Sequence, residues 1–326
     1  MSVEPPTIED VRAAAAEIAP HLPLPTPLVA SPALSQLLEA DVSLKFEFAT
    51  PVSAFKVRGG LTLAAHLSEA EREAGLVTAS TGNHGQSIAY AARMHGIRAA
   101  IFVPEGANPD KVASIRRLGA EIHEAGERFD DAVRAAESHA DASGMRFVSS
   151  GNEPQLIAGV GTAALEVLEQ QQPDTDLAIV PVGGGSGVCG WITVRDGLGH
   201  SAEIWGVQSA QAPAAYESWR AAEVVTRPNL TQAEGLSTGQ GFALPLSIMR
   251  ESLDDFVLVN DEEIEKAVVA LLDHQHVLVE PAGAAALAAA TAERDRIQGR
   301  RVVLVCSGAN ITREQLGAIL GRAGGG

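Results

Sequence analysis

Only two cysteines occur in the 326 residues, Cys189 and Cys306. Two thiols cannot make a disulfide framework, and no Cys/His group has metal-ligand spacing, so no bound metal is expected. That scarcity points to the cytoplasm. Basic residues are short as well: 24 Lys and Arg stand against 41 Asp and Glu, a net charge of −17. A chain of that sign is not expected to take nucleic acid or an anionic membrane as its principal partner. Aromatics amount to 4%, and Trp191, Trp205 and Trp219 are too scattered to stack nucleobases. No apolar run is long and uncharged enough to span a bilayer. Met1 to Pro6 has neither the basic nor the apolar segment of an export signal. Repeats, low-complexity tracts and coiled-coil heptads are absent too.

What is present is a globular composition, 46% hydrophobic and 20% charged, long enough for one large or two ordinary domains. Strand-like and helix-like stretches alternate almost throughout. Helical spacing runs over 8–18, 85–95, 109–118, 128–140, 154–171, 188–196, 262–274 and 282–293. Strand patterns occupy 42–48, 75–78, 97–103, 120–123, 145–149, 177–182, 203–208, 256–260 and 301–306. This predicts an α/β fold of two open, largely parallel sheets covered by helices. Residues 77–147 read as a self-contained βαβαβαβ unit. A small domain is therefore expected over 74–149, and a large one from 1–73 together with 150–326.

Ligands in such folds lie where strands give way to helices, so the turns carry the function. In Pro51-Val52-Ser53-Ala54-Phe55-Lys56-Val57-Arg58-Gly59-Gly60, Ser53 is the expected N-cap of a helix with Lys56 in its first turn. The helix dipole, and Arg58 if close, would favour the neutral, nucleophilic amine. Gly59 and Gly60 weaken that helix, and one reason for them would be a bulky ligand close to the backbone. A solvated surface lysine is the plainer reading of this stretch taken alone.

Three more turns follow strands. Thr78-Ala79-Ser80-Thr81-Gly82-Asn83-His84-Gly85 offers helix-start amides for a carboxylate, and Asn83 can bond a phenolate or carbonyl oxygen. An ordinary helix cap is its bland alternative. Gly183-Gly184-Gly185-Ser186-Gly187 lets backbone N–H groups close on a phosphate. Residues 185–190 also fit G-x-G-x-x-G, so a dinucleotide site is the rival. That rival needs an acid ending the next strand; the strand ends in Gln208, and Glu203 lies at its wrong end. Ser307, in Val305-Cys306-Ser307-Gly308-Ala309-Asn310, could face a ring nitrogen. Glu280, in Glu280-Pro281-Ala282-Gly283-Ala284, is a site residue or a helix N-cap.

An amine, an oxygen-binding amide, a phosphate cradle and a ring-nitrogen partner are together what pyridoxal 5'-phosphate requires. On these motifs, from Thr26-Pro27-Leu28 to Asn310, the chain resembles the fold type II pyridoxal-phosphate enzymes. Within them it is similar to the threonine/serine dehydratases (threonine ammonia-lyases) and to the related serine racemases. The resemblance implies a tryptophan synthase β-subunit-like fold with the cofactor in the cleft between two domains. It implies that Lys56 forms the Schiff base and then serves as base at Cα. Phe55 would lie on the cofactor ring, and Asn83 would bond its 3'-oxygen. Gly183, Gly184, Gly185, Ser186 and Gly187 would hold the phosphate, with Glu280 and Ser307 completing the cofactor set. Ser80, Thr81, Gly82, Asn83 and His84 would grip the substrate carboxylate, with Asn152 bordering that pocket. The implied reaction is α,β-elimination of a 3-hydroxy amino acid, threonine or serine, to a 2-oxo acid and ammonia by a homodimer. A dinucleotide-dependent oxidoreductase and a non-catalytic amino-acid sensor remain as readings from other classes.

Three positions depart from that pattern. Thr81 stands where racemase-like members carry an acid/base serine and keeps a hydroxyl, so some racemase activity stays open although its methyl crowds that face; Ser80 is counted with Lys56 and Thr81 among the catalytic candidates. Gln208 replaces a glutamate that binds metal in metal-dependent relatives, and an amide is the poorer ligand for a hard cation. Ser149-Ser150-Gly151-Asn152-Glu153-Pro154 replaces the usual histidine-proline start, so phenylserine, hydroxyaspartate or a diamino acid derivative is a possible substrate. Without the C-terminal regulatory domain of biosynthetic threonine deaminases, no feedback by isoleucine through such a domain is expected. The pairs Asp130-Asp131 and Asp254-Asp255 and the run Asp261-Glu262-Glu263 read as solvated helix starts, and His274 and His276 as structural. Gly324-Gly325-Gly326 read as a disordered tail.

Overall fold

A computed structural model describes residues 3–172 and 174–323; the glycine tail lies outside the described residues. Among the described residues ten strands form two sheets, and the first, of six strands, draws on early and late parts of the chain. It contains β1 (Leu28–Ala30), β2 (Asp41–Phe46), β7 (Leu177–Pro181), β8 (Glu203–Ser209), β9 (Asp255–Val259) and β10 (Arg301–Cys306), in the order β1-β2-β10-β7-β8-β9. Only β1 is antiparallel to its neighbour. The second sheet orders β3 (Leu76–Ala79), β4 (Ala99–Val103), β5 (Glu121–Glu124) and β6 (Arg146–Phe147) as β5-β4-β3-β6, all parallel.

Parallel strands buried on both faces alternate between two cores. In β10, Val302, Leu304 and Cys306 face one apolar cluster, while Val303 and Val305 face the other. The first face is covered by α2 (Pro32–Leu38), α12 (Asp261–Gln275) and the alanine-rich α13 (Pro281–Ala292). The opposite face carries α1 (Ile8–Ile18), α8 (Pro154–Leu165), α9 (Ser186–Leu198), α10 (Ala214–Ala221) and α11 (Ala243–Ser252). The small sheet lies between α3 (Lys56–Ala65), α5 (Asn83–His95) and α6 (Pro109–Arg117) on one side and α7 (Phe129–Ser143) on the other. Short helices α4 (Glu69–Ala74) and α14 (Arg294–Ile297), a single 3-10 turn at Glu234–Leu236 and the last described helix α15 (Arg313–Ala323) accompany them. No helix among the described residues is long and apolar enough to cross a membrane.

Two local readings change. Asp255 opens β9 rather than a helix, and Asp254 pairs with Arg195 at 2.7 Å. The helical stretch 154–171 continues past Leu165 as a π-turn over Glu166–Gln171. In a π-turn the backbone bonds run between positions i and i+5, which places those two residues one turn apart on the same side of the helix. Here that brings Glu166 and Gln171 to one ammonium, that of Lys45, at 2.7 and 2.8 Å.

Candidate active site

Lys56 is the first residue of α3, and Phe55 occupies the cap position with helical backbone angles and no side-chain cap. Ser53 is therefore not the N-cap. Its φ of 52° is left-handed, and Thr50 Oγ1 takes the Ala54 N–H at 3.1 Å in its place. The Lys56 amine lies 2.9 Å from Ser186 Oγ and 3.4 Å from the Ser150 carbonyl, and 5.4 Å from the Phe55 ring centroid. Burial lowers its pKa to about 8. Arg58 does not contribute to that shift. It points into the core and is neutralised by Glu47 at 2.7 Å and Glu166 at 2.8 Å. Burial would raise the Glu166 carboxyl, but Arg58 and Lys45 hold it below its ordinary value.

Gly59 and Gly60 answer to helix packing, not to a ligand. A Cβ on Gly59 would stand 2.7 Å from the Leu156 carbonyl of α8, and one on Gly60 would stand 2.3 Å from Ser87 Oγ of α5. The bare backbone lets three helices close together around the one that presents Lys56.

The glycine turn after β7 runs into α9, whose first residue is Ser186. No backbone N–H from Gly183 to Val188 donates to an acceptor in the protein outside α9's own ladder, among the described residues. Gly185 has φ 97°, and a Cβ on Gly183 would stand 2.4 Å from the Gly235 carbonyl, so side chains are excluded where the amides converge. Gly187 abuts the Phe55 ring. A row of unused amides at a helix's positive end, next to a desolvated amine, fits a phosphate carried on an aldehyde.

Across from it, Asn83 is the first residue of α5. Its Nδ2 donates to Glu280 Oε1 and its Oδ1 accepts from Asn310, both at 2.6 Å. Glu280 holds the N-cap position of α13, yet its carboxylate does not cap that helix. It is buried, which pushes its pKa up, with Asn83 and Lys111 pulling the other way. Ser307 is buried at the end of β10, its carbonyl accepting the Phe55 N–H at 3.0 Å. Among the described residues, Thr81, Asn83 and His84 have backbone N–H groups with no protein acceptor, whereas Gly82 N–H is taken by Ser80 Oγ at 3.2 Å. The Thr81 hydroxyl bonds to nothing among the described residues. His84 is buried, and desolvation with the nearby Lys56 charge lowers its pKa to about 3. Thr78 gives its hydroxyl proton to the Val148 carbonyl, so His84 Nε2 must be the donor to Thr78 Oγ1, 3.1 Å away. That leaves His84 Nδ1 as a buried acceptor with no partner.

Asn152 has its side-chain oxygen 3.2 Å from the Leu244 N–H, at the start of α11. Gln208 uses both amide ends, on the Tyr216 N–H at 3.0 Å and Thr238 Oγ1 at 3.4 Å. No acid ends β8, as the dinucleotide rival required, and no group of three His, Cys, Asp or Glu among the described residues could hold a metal. The sequence reading missed Phe242, whose ring closes on Gly184 and Gly151. No periodicity marks that residue, since it lies in an irregular stretch before α11.

Residues 21–308 match the family model described as pyridoxal-phosphate dependent enzyme. The chain is 35% identical to the L-threonine ammonia-lyase of Thermotoga maritima over 97% of its own length and 78% of that protein. It is 31% identical to the serine racemase of Schizosaccharomyces pombe over 95% and 96% of the two chains. The processed form of threonine deaminase isoform 2 from Solanum lycopersicum superposes with a TM-score of 0.91 at 26% identity. That match covers 100% of this chain and 92% of that one. The chain belongs to the pyridoxal-phosphate dependent enzyme family, and the dinucleotide reading falls with that.

Proposed function

We propose that this family member is a lyase that eliminates water from a 3-hydroxy amino acid, L-threonine or L-serine, to give a 2-oxo acid and ammonia. The observation that carries the reading is the partly desolvated Lys56 amine beside Ser186 and the unused amides of 183–188. Pyridoxal 5'-phosphate, held by Lys56, Phe55, Asn83, Ser307 and the glycine turn, supplies the electron sink that makes the substrate Cα acidic.

The protein's own groups do the rest. With a pKa near 8, about a tenth of Lys56 is neutral at pH 7, against under a thousandth for a solvated lysine. It can therefore attack a carbonyl and, once released, take the Cα proton. Amides of Thr81, Asn83 and His84 at the start of α5 bind the substrate carboxylate. Ser307 is neutral, so it accepts from or donates to a ring nitrogen without forcing a proton onto it. The segment 74–149 is read as the part that closes over the substrate.

Thr81 favours a second activity. Its unengaged hydroxyl leaves a proton carrier on the α5 side, and the match to a serine racemase agrees, so slow racemisation of serine accompanies elimination. A cytoplasmic homodimer is the accompanying expectation, checked by fractionation and sedimentation. The deciding experiment assays 2-oxo acid and ammonia over a panel of 3-hydroxy amino acids with pyridoxal phosphate present. Turnover of threonine or serine, lost in Lys56→Ala, supports the reading; no turnover of any member overturns it.

A further inference from the structure

Asn310 closes the turn after β10. Its side-chain nitrogen donates to the Val52 carbonyl at 2.8 Å and to Asn83 Oδ1 at 2.6 Å. A backbone carbonyl can only accept, so the Asn310 atom facing Val52 must be nitrogen. That nitrogen's second proton faces Asn83, so the Asn83 atom there must be oxygen. Asn83 Nδ2 is thereby turned the other way, where one of its protons goes to Glu280 Oε1 at 2.6 Å. Its second proton has no acceptor among the described residues. Gly308 is part of the same device: a Cβ there would lie 2.3 Å from Glu280 Oε1 and 3.2 Å from Asn83 Nδ2. Only glycine lets the carboxylate and the amide meet.

We propose that Asn310 is a positioning residue that, anchored on the Val52 carbonyl, locks the Asn83 amide as a hydrogen-bond donor toward the cofactor's ring oxygen. The site then selects that oxygen as the anion rather than as the hydroxyl. This rests on the pyridoxal-phosphate reading above. Were the Asn83 amide free to turn over, its oxygen would face the ring oxygen and favour the protonated form.

Asn310→Asp is the sharp variant, because a carboxylate cannot donate to Val52 or to Asn83 Oδ1; it competes with Glu280 for the Asn83 NH2 and so unlocks the amide. Wild type, Asn310→Asp and Asn310→Ser are loaded with pyridoxal phosphate, and their visible absorbance is titrated against pH. In Asn310→Asp the midpoint should rise by about one pH unit or more, with cofactor affinity falling about tenfold. Asn310→Ser should fall between the two. A 3-deoxy analogue, lacking the ring oxygen, should bind wild type about tenfold more weakly than pyridoxal phosphate and should lose that difference in Asn310→Asp. A purely structural role would lower the melting temperature and leave the titration midpoint where it is, and that result overturns the proposal. If neither variant folds, equal affinity of wild type for the two cofactors still overturns it. A wild type with no visible band on adding pyridoxal phosphate would sink the cofactor reading itself, a distinct failure.

Discussion

The Lys56 amine donates to the Ser186 hydroxyl at 2.9 Å, so the first residues of α3 and α9 meet. Two helix N-termini therefore converge on one spot, which disfavours a lone cation and favours an anion. The site is built for a ligand that brings negative charge and consumes the amine.

Without cofactor, the buried amine should cost stability. Its pKa is about 8 in the folded protein and near 10.5 when solvated. Between those values the unfolded chain binds more protons, so stability rises with pH from 8 to 10.5, and the full cost is felt below 8. Apo Lys56→Met should be up to about 3 kcal/mol more stable than apo wild type at pH 7, less where solvent reaches the amine. Urea melts at pH 7 and pH 10.5 should show that gap closing.

His84 should make the protein acid-labile. Its imidazole is pushed to about 3 from 6.5 by burial, so it contributes stability above pH 6.5 that is lost as pH falls toward 3. At pH 5 the loss is roughly 2 kcal/mol. Denaturation midpoints of His84→Asn should fall less steeply between pH 7 and 5 than those of wild type.

Arg58→Met should destabilise strongly. It leaves Glu47 and Glu166 facing each other in the core with only Lys45 as counter-charge. Removing one member of such a buried network costs about 3–5 kcal/mol. Replacing Arg12, which is paired with Glu9 and Glu169 on the surface, should leave the denaturation midpoint almost where it is in the same series, since solvent screens such pairs.

Gly59→Ala separates two arguments by sign. Helix propensity alone gives a gain of about 1 kcal/mol. The added methyl, however, meets the Leu156 backbone at 2.7 Å, and backbone yields little. Overpacking of that kind costs about 1–3 kcal/mol, so the melting temperature should drop. A rise would mean that α8 moves freely against α3.

Much of this was legible in advance because it is written in local pattern. The helix 8–18 and the strand 301–306 have the boundaries that their apolar spacing announces. The glycine turn and the Ser80–His84 loop stand at strand-to-helix junctions, as their composition requires. Short helices such as α4 and α10 escaped, since one or two turns carry too few periods. Whether Arg58 bears on Lys56 is not legible from spacing, because a charge's effect depends on its partners, and Glu166 is 108 residues away. The Asn310–Asn83 bond joins positions 227 residues apart, and no spacing rule reaches that far.

β10 is inserted between β2 and β7, so the centre of the six-stranded sheet is filled by a late segment of the chain. Phe55 N–H needs the Ser307 carbonyl, and Asn83 needs Asn310. During synthesis on the ribosome, the seat prepared by residues 46–187 must therefore wait for residue 310 to emerge. A nascent chain stalled before β10 would be a scaffold without its keystone.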